Sequence, residues 1–321
     1  MTIQSTELHN RMWDEINRLK YDFAHMREFN QMLDEELRQP GKAGHLETPF
    51  FSTWGGRAVK LGLLFGVNHI ERITAAGAAI ELLMLSADLF DDCMDQDGGK
   101  LESSFEPGHL LRIAFAQWIF SLSYHAFLKL DIDTGLAGRL LQEVNSLSMD
   151  ALWGQWRADA HVYPFSSTEE RYILMIEESS GKLGKLVCAV IALIARLDQK
   201  VTDRLKEIGS MLAISGQISN DARDIMNDRK LDFKRLKMSL PLIMAISHSE
   251  RRHDFFHSML EYIYRQPMEA EIYKQQLRDY MVNVGAIDYA NIKARLIDHE
   301  AELALVALHS DWQSKQSCPG A

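Results

Sequence analysis

With 321 residues, 46% of them hydrophobic and only 7 prolines, the chain is long enough to bury a sizeable core, and it carries no low-complexity segment. A formal net charge of −10 argues against nucleic acid as a partner, because a protein that follows a phosphate backbone needs a basic face. The three cysteines lie far apart and in no metal-ligand spacing, which fits a reducing compartment and predicts a cytoplasmic protein.

The N-terminal part of the chain predicts helices. Residues 7–38 show the amphipathic pattern of a single helix, an appendage with solvated charges that ends at a Gln-Pro-Gly turn. A Gly-Gly pair at 55–56 then precedes a helix that places Arg57 and Lys60 one turn apart. Basic side chains at a helix start suit a phosphate group, although two solvated cations at an ordinary helix start explain the pattern equally well.

The most informative stretch covers residues 87–97, A-D-L-F-D-D-C-M-D-Q-D. It ends a long apolar segment, and its aspartates recur three and four residues apart: Asp88, Asp91, Asp92 and Asp95. On a helix these carboxylates form one stripe, and like charges at this spacing cost roughly 0.2–0.5 kcal/mol per pair, so a compensating cation is expected. Mg²⁺ suits this role because one or two carboxylates and substrate phosphates can hold it. A solvated acidic face is the alternative explanation.

Further helices are predicted over residues 110–130 and 136–156, and another helix after Pro164 runs into an apolar stretch at 186–195. Lys182 lies beside glycines just before that stretch, where it could reach an anion in a cleft. A lysine whose stem lies along apolar surface is the commoner explanation. The apolar stretch is too short to span a bilayer, so no transmembrane segment is predicted.

A second acidic cluster begins at Gln217 and ends at Asp228. Asn220, Asp224 and Asp228 lie four residues apart, so they share one face of a helix, and Asp221 lies beside that face. Two separate helices that each carry oxygen ligands on one face, between apolar flanks, rarely arise by chance. Together they predict a shared site in which several Mg²⁺ ions hold a diphosphate.

In their order and spacing, these motifs resemble the class I trans-isoprenyl diphosphate synthase family, also called the polyprenyl synthetase family. Residues 81–95 resemble its first aspartate-rich motif, and residues 217–224 resemble its second. The segment 237–242, K-M-S-L-P-L, resembles the K-x-T-L-P-L segment that follows. The Gly-Gln pair at 154–155 and residues 182–184 fall where the family has its G-Q and K-T-G segments.

The resemblance implies a fold, a domain organisation and partners. The fold is an all-α, isoprenoid-synthase-type bundle of helices around a deep central cavity. One prenyltransferase domain would occupy residues 1–321, with a short disordered tail at about 311–321. The protein would act as a homodimer on an allylic prenyl diphosphate, with isopentenyl diphosphate or a tryptophan-containing peptide as the acceptor.

The resemblance also assigns roles to residues of these motifs. Three Mg²⁺ ions bound with the diphosphate would be held by Asp91, Asp92, Asp95, Asn220, Asp221 and Asp224. Ionisation of the allylic substrate would involve Lys182, Lys237 and Gln217. Substrate contacts would come from Arg57, Lys60, Ser86, Ala87, Gln155 and Arg223. Ser86 and Ala87 are small residues at the floor of the pocket, which implies room for a farnesyl or longer chain. A metal role for Asp88 and Asp228 stays open.

The sequence also departs from the family pattern. Met84 stands where chain-elongating members carry a histidine, and residues 98–102 lack their paired arginines. The basic segment at 56–61 has fewer cations and no proline. In the family, those groups bind the diphosphate of isopentenyl diphosphate, so the half of the site that binds the donor looks intact and the half that binds the acceptor looks eroded.

This asymmetry is most similar to the ComQ-type branch, whose members attach an isoprenyl group to a tryptophan of a bacterial peptide pheromone and so act in quorum sensing. Three alternatives remain open at this point. They are a chain-elongating polyprenyl diphosphate synthase, a class I terpene synthase, and a non-enzymatic regulatory subunit of a heteromeric synthase.

Overall fold

The computed structural model describes residues 4–94, 107–160, 167–227, 238–252, 255–266 and 269–317. Every regular element within these ranges is helical, which confirms the predicted all-α class. A 3₁₀ turn spans Phe50–Ser52, and a π turn spans Glu177–Gly181. The α-helices are α1 Ser5–Asp22, α2 Arg27–Leu37, α3 Trp54–Leu64, α4 Ile70–Met94, α5 Pro107–Leu128, α6 Thr134–Ala160, α7 Glu169–Ile176, α8 Lys182–Ile194, α9 Gln199–Asp224, α10 Leu240–Arg252, α11 Phe255–Arg265, α12 Ala270–Asn283 and α13 Ala286–Ser317.

Helix α4 runs through the centre of the bundle and packs against α1, α3, α5 and α8. Residues 76–86 are all buried, which agrees with their apolar and small side chains on every face of the helix, Glu81 being the exception. By length and composition α4 could cross a membrane, but 78% of its most apolar window is buried inside the protein. Such burial is typical of the central helix of a packed core.

The close approach of helices in this bundle depends on glycine. A Cβ atom on Gly55 of α3 would lie 2.5 Å from the carbonyl oxygen of Gly77 in α4. A Cβ atom on Gly184 of α8 would lie 2.0 Å from the carbonyl oxygen of Gly209 in α9. Both distances are far below van der Waals contact, so no larger residue fits without moving the helices apart. The second crossing fixes α9, which carries the second acidic motif.

The N-terminal prediction of one helix over residues 7–38 is wrong. The chain forms α1 and α2, separated by a turn at residues 23–26 in which the Asn30 side-chain amide donates to the carbonyl oxygen of Phe23 at 3.0 Å. The sequence offers no Gly or Pro to mark this break. Nor is α1 an appendage, because one of its faces is buried in the core: Leu8, Met12, Ile16 and Leu19.

The predicted disordered tail at 311–321 is also wrong for most of its length. Helix α13 continues through Ser317, and the described residues end there. The Trp312 ring packs edge-on against Phe65, at the end of α3, with 5.4 Å between ring centroids. This partner is distant in sequence, so the local pattern could not reveal it. That the whole chain forms one domain stays a prediction.

The α8–α9 crossing gives the first testable prediction. Gly184→Ala should lower the free energy of unfolding by about 1–3 kcal/mol, because the added methyl group overlaps the Gly209 backbone. Urea unfolding followed by circular dichroism measures this change.

Gly138→Ala is the matched control, because Gly138 also lies inside a helix but no atom lies within 4 Å of its added Cβ. That variant should gain up to about 1 kcal/mol from helix propensity. If both alanine variants behave alike, the tight α8–α9 crossing is not present in solution.

Candidate active site

An apolar cavity of about 410 Å³ lies between α4, α5, α6 and the π turn. Most of its wall surface is apolar, with contributions from Leu83, Phe120 and Leu183, and polar side chains are interspersed among them. Ser86 and Ala87 lie in this wall, where the sequence analysis expected the floor of a prenyl pocket. The cavity can therefore take an apolar chain and keep it away from bulk water.

A second cavity, of about 560 Å³, also borders α4 and is bounded by α3, α9, α13 and the loop after α2. We call it the charged cavity, because cationic and acidic side chains line it together: Lys42, Arg57, Arg223, Arg295, Glu81, Asp88 and Asp298. Met84 lies in the same wall. Among the described residues that line the two cavities, only Asp88 lines both.

Asp91 lies in the wall of the apolar cavity, as predicted, and a side-chain amide orients it. Gln155 of α6 donates a hydrogen bond from Nε2 to Asp91 Oδ1 at 2.8 Å. The predicted end of that helix at residue 156 is too early, since α6 continues through Ala160. Gly154 does not terminate it. Instead, the missing side chain lets the π turn approach, because a Cβ there would lie 2.1 Å from the Glu178 carbonyl oxygen.

Asp221 of α9 is held by hydrogen bonds at both of its carboxylate oxygens. The Tyr172 hydroxyl donates to Oδ2 at 2.6 Å, and Gln217 Nε2 donates to Oδ1 at 2.8 Å. Ser180 Oγ in turn donates to Gln217 Oε1 at 2.8 Å. Burial, together with the neighbouring Asp221 charge, raises the pKa of Tyr172 well above its usual value, so the hydroxyl keeps its proton and remains a donor.

Sequence analysis missed Tyr172, which is fully buried and looks like an ordinary core aromatic in the amphipathic pattern of α7. Only its contact with Asp221, 49 positions further along the chain, reveals its role. Such outer hydrogen bonds orient metal-binding carboxylates in many proteins.

The structure does not place Lys182 where a catalytic cation was predicted. Its ammonium group donates to Asp150 at 3.2 Å, and Lys182 lines neither of the two cavities. Ser179 and Ser180 of the π turn face the apolar cavity instead. A π turn inserts an extra residue and rotates every following side chain, which a pattern with 3.6 residues per turn cannot anticipate.

The other predicted residues of the second motif separate into two groups. Asn220 and Arg223 line the charged cavity, and the Arg223 guanidinium donates to the side-chain oxygen of Asn220. Asp224 is partly buried and lines neither of the two cavities. The predictions for Asp95, Lys237 and Asp228 fall outside the described residues.

Two further predictions concern the cationic helix start and Asp92. Arg57 lines the charged cavity, and its guanidinium carbon lies 5.3 Å from the centre of the Trp54 ring. Lys60 is exposed to solvent and lines neither of the two cavities, because it projects one turn further along α3. Asp92 also lines neither of them, and its charge acts on Lys42.

Two groups of the charged cavity are firmly held. The fully buried carboxyl of Glu81 accepts the Gly55 backbone N–H at 2.7 Å, and burial raises the pKa of Glu81. Lys42 forms an ion pair with Asp88. Burial alone would lower the pKa of Lys42, but the Asp88 carboxylate, with a smaller contribution from Glu81, outweighs it and raises the pKa.

Within the part of the chain that the structure describes, no three His, Cys, Asp or Glu side chains lie close enough together to hold a metal ion. The described carboxylates of the predicted set, Asp91, Asp92, Asp221 and Asp224, therefore form no preformed metal cage. Asp91 and Asp221 each keep oxygen lone pairs beyond the hydrogen bonds named above, and both belong to α-helices next to the apolar cavity.

The chain matches a known protein family. The family model described as Polyprenyl synthetase matches residues 29–281. The chain belongs to the polyprenyl synthetase family. The predicted family is thereby confirmed, and similarity to solved structures confirms the isoprenoid-synthase type of the bundle. The polyprenyl synthase of Caulobacter crescentus, solved with calcium and isoprenyl diphosphate, superposes with a TM-score of 0.66 at 18% identity, over 91% of this chain and 92% of that one.

Curated relatives of the family are similar at low identity. The short chain isoprenyl diphosphate synthase of Methanocaldococcus jannaschii is 25% identical over 166 residues, 51% of this chain and 50% of that protein. The tryptophan prenyltransferase ComQ of Bacillus subtilis subsp. natto is 26% identical over 258 residues, 79% of this chain and 76% of that protein. The first of these matches thus spans only half of the relative's length.

The hydrogen bond from Tyr172 to Asp221 gives the second prediction. Tyr172→Phe should lower the Mg²⁺-dependent release of diphosphate from an allylic prenyl diphosphate by about 10–100-fold, and should raise the Mg²⁺ concentration that half-saturates it, because Asp221 loses one of its orienting donors. Diphosphate release measured over a Mg²⁺ series tests this.

Tyr289→Phe is the matched control. It removes an equally short tyrosine–carboxylate hydrogen bond, to Glu169 at 2.6 Å, between groups that line neither of the two cavities. We expect similar melting temperatures for both variants, with activity lost only in Tyr172→Phe. An unchanged Mg²⁺ dependence in Tyr172→Phe would show that the hydrogen bond does not position Asp221 for metal binding.

Proposed function

We propose that this protein is a Mg²⁺-dependent prenyltransferase that ionises an allylic prenyl diphosphate and transfers the isoprenyl group to a tryptophan of a peptide. Membership of the polyprenyl synthetase family supports the donor chemistry. The similarity to ComQ supports the acceptor. The observation that carries the choice of acceptor is the charged cavity, in which three of the four lining cations already have partners within the protein.

The donor would bind with its chain in the apolar cavity and its diphosphate beside Asp91 and Asp221. A cavity with Leu83, Phe120 and Leu183 in its wall excludes water, which would otherwise capture an allylic cation. Small side chains at Ser86 and Ala87 leave length for the chain. Donor binding therefore needs no group that the eroded motifs have lost.

Mg²⁺ fits the donor set of this site, which consists only of hard oxygen atoms. The ion keeps several ligands from water and substrate phosphates, so it needs no preformed cage of three carboxylates. When bound beside Asp91 and Asp221, Mg²⁺ would supply positive charge to neutralise the diphosphate leaving group. Asp91 and Asp221 are the proposed ligands best supported by their positions, and the other proposed ligands are Asp92, Asp95, Asn220 and Asp224.

The protein groups around these ligands would fix the geometry of ionisation. Gln155 holds the Asp91 carboxylate, and Tyr172 and Gln217 hold the Asp221 carboxylate, so neither has to reorganise as charge develops. Lys182 pairs with Asp150 in this structure, so a direct contribution to ionisation requires that this ion pair open. Lys237 stays a prediction.

The acceptor would enter through the charged cavity. Lys42 is paired with Asp88, Arg57 lies over the Trp54 ring, and Arg223 donates to Asn220, so a diphosphate would have to compete with these contacts for the cations. An indole ring carries no net charge and is a good carbon nucleophile. Its attack forms the new C–C bond, and the resulting iminium ion loses the N–H proton to solvent or to released diphosphate.

A chain-elongating synthase is the second candidate. The similarity to the short chain isoprenyl diphosphate synthase of M. jannaschii favours it, and so does the presence of Arg295 in the charged cavity. That function would require isopentenyl diphosphate to bind among the paired cations described above.

We also propose a homodimer formed through α5 and α6. Large apolar side chains are exposed on these helices: Leu110, Leu111, Met149, Leu152, Trp153 and Trp156. Met149 and Leu152 also line the apolar cavity, so a second copy on this face would cover its open side. Exposed apolar patches of this kind mark interaction surfaces.

Product analysis tests the proposed function. The purified protein is incubated with Mg²⁺ and geranyl or farnesyl diphosphate, with a tryptophan-containing peptide, with the same peptide carrying phenylalanine in place of tryptophan, or with isopentenyl diphosphate. We expect a prenyl adduct on the tryptophan peptide alone, detected by mass spectrometry. Elongated diphosphates formed without peptide, and no peptide adduct, would show instead that the protein is an ordinary chain-elongating synthase.

The dimer makes a separate prediction. Light scattering should give the wild-type protein a mass twice that of the 36.7 kDa chain, and Trp153→Glu should shift it toward the monomer because a charge is placed in the apolar face. Tyr21→Glu is the control, since Tyr21 is also an exposed aromatic residue but lies on α1. A monomeric wild-type protein would refute the dimer.

A further inference from the structure

Asp88 occupies the junction between the two cavities. It lies one turn after Met84 and one turn before Asp91 on the same helix, so all three share a face of α4. Asp88 lines both the apolar cavity and the charged cavity, whereas Met84 lines only the charged cavity and Asp91 only the apolar one. In the proposed binding mode, an acceptor that enters through the charged cavity passes close to the Asp88 carboxylate on its way to the donor.

The partner of Asp88 is supplied by a well-ordered loop. Lys42 follows α2, and the backbone on either side of it is anchored: the Gly44 N–H donates to the Leu37 carbonyl at 2.8 Å, and the His9 ring nitrogen lies 2.7 Å from the Ala43 carbonyl oxygen. Ala43 itself is 3% exposed. The Lys42 ammonium is thus held at the cavity wall, where it forms the ion pair with Asp88.

This ion pair changes what the charged cavity can bind. The Lys42 side chain is 29% exposed and Asp88 is 57% exposed, so the carboxylate still presents negative charge to the cavity while it occupies the cation. Glu81 and Asp298 add acidic groups to the same wall. Met84 offers no hydrogen-bond donor. A diphosphate carried by the acceptor would meet repulsion from Asp88 and would find Lys42 already paired.

We propose that Asp88 determines acceptor specificity by excluding molecules that carry a diphosphate from the charged cavity, while it admits an uncharged indole. The first part of this inference, that the charged cavity admits a tryptophan side chain, rests on the proposed function. The second part, that Asp88 excludes a diphosphate, concerns binding alone and holds whatever the natural acceptor is.

Binding of isopentenyl diphosphate gives the direct test. The titration is done with EDTA present, so that a diphosphate cannot bind at the donor site through Mg²⁺. Asp88→Asn removes the negative charge with little change in size and releases Lys42, so the affinity should rise at least about tenfold. Asp88→Glu keeps the charge and should bind as weakly as the wild type.

Two further variants test whether the gain in affinity comes from the change in net charge and whether it depends on the release of Lys42. Asp203→Asn makes the same change in net charge at a residue of α9 that lines neither of the two cavities and accepts from Gln199, and it should leave the affinity unchanged. Adding Lys42→Met to Asp88→Asn should return part of the gain, because the released cation is then missing. Melting temperatures show whether each variant is folded.

Product ratios give the second readout. With Mg²⁺, farnesyl diphosphate and equal amounts of tryptophan peptide and isopentenyl diphosphate, Asp88→Asn should shift the ratio of elongated diphosphate to prenylated peptide at least about tenfold relative to wild type. An unchanged affinity for isopentenyl diphosphate in folded Asp88→Asn overturns the inference. Absence of peptide product from the wild type overturns the proposed function instead, and the EDTA titration still decides the role of Asp88.

Discussion

The hydrogen bond between the buried Glu81 carboxyl and the Gly55 N–H holds α3 against α4, and the geometry of the charged cavity, which both helices line, depends on it. A buried carboxyl group needs such a partner, because desolvation without one is costly. The N-terminus of α3 supplies it, with the favourable end of the helix dipole. Because Gly55 and Gly77 lack side chains, the two backbones approach closely enough for the bond to form. Arg57 is thereby placed in the charged cavity.

The same arrangement explains why the acidic residues of α4 do not behave as one stripe. Sequence analysis expected a metal cation to compensate this stripe and left a metal role for Asp88 open, and the protein supplies its own cation for Asp88 through Lys42. Asp91 instead receives an amide from Gln155 and faces the apolar cavity. Asp88 and Asp91 lie one turn apart on a single helix, but they have different partners because different elements surround them.

Composition and helical periodicity were sufficient to predict the all-α class, and the family resemblance singled out Asp91 and Gln217, which both line the apolar cavity. Periodicity failed where the position of a residue depends on a contact that is distant in sequence or on an irregular turn. Lys182 was misplaced because the π turn rotates α8, and the tail was called disordered because Phe65 is remote in sequence. Tyr172 was missed because a buried tyrosine resembles any core aromatic until its acceptor is known.

Both cavities border α4, but the donor half and the acceptor half of the proposed site involve different surrounding elements. In the proposed function, the donor half would depend on carboxylates whose orientation is fixed by α6, α7 and α9, so altering it would disturb several helices at once. The acceptor half would depend on Met84, Asp88 and one anchored loop residue, Lys42. Substitutions there change the charge of one wall while the ionising groups stay in place. A change of acceptor therefore costs the fold little, which is consistent with one family using the same donor chemistry on different nucleophiles.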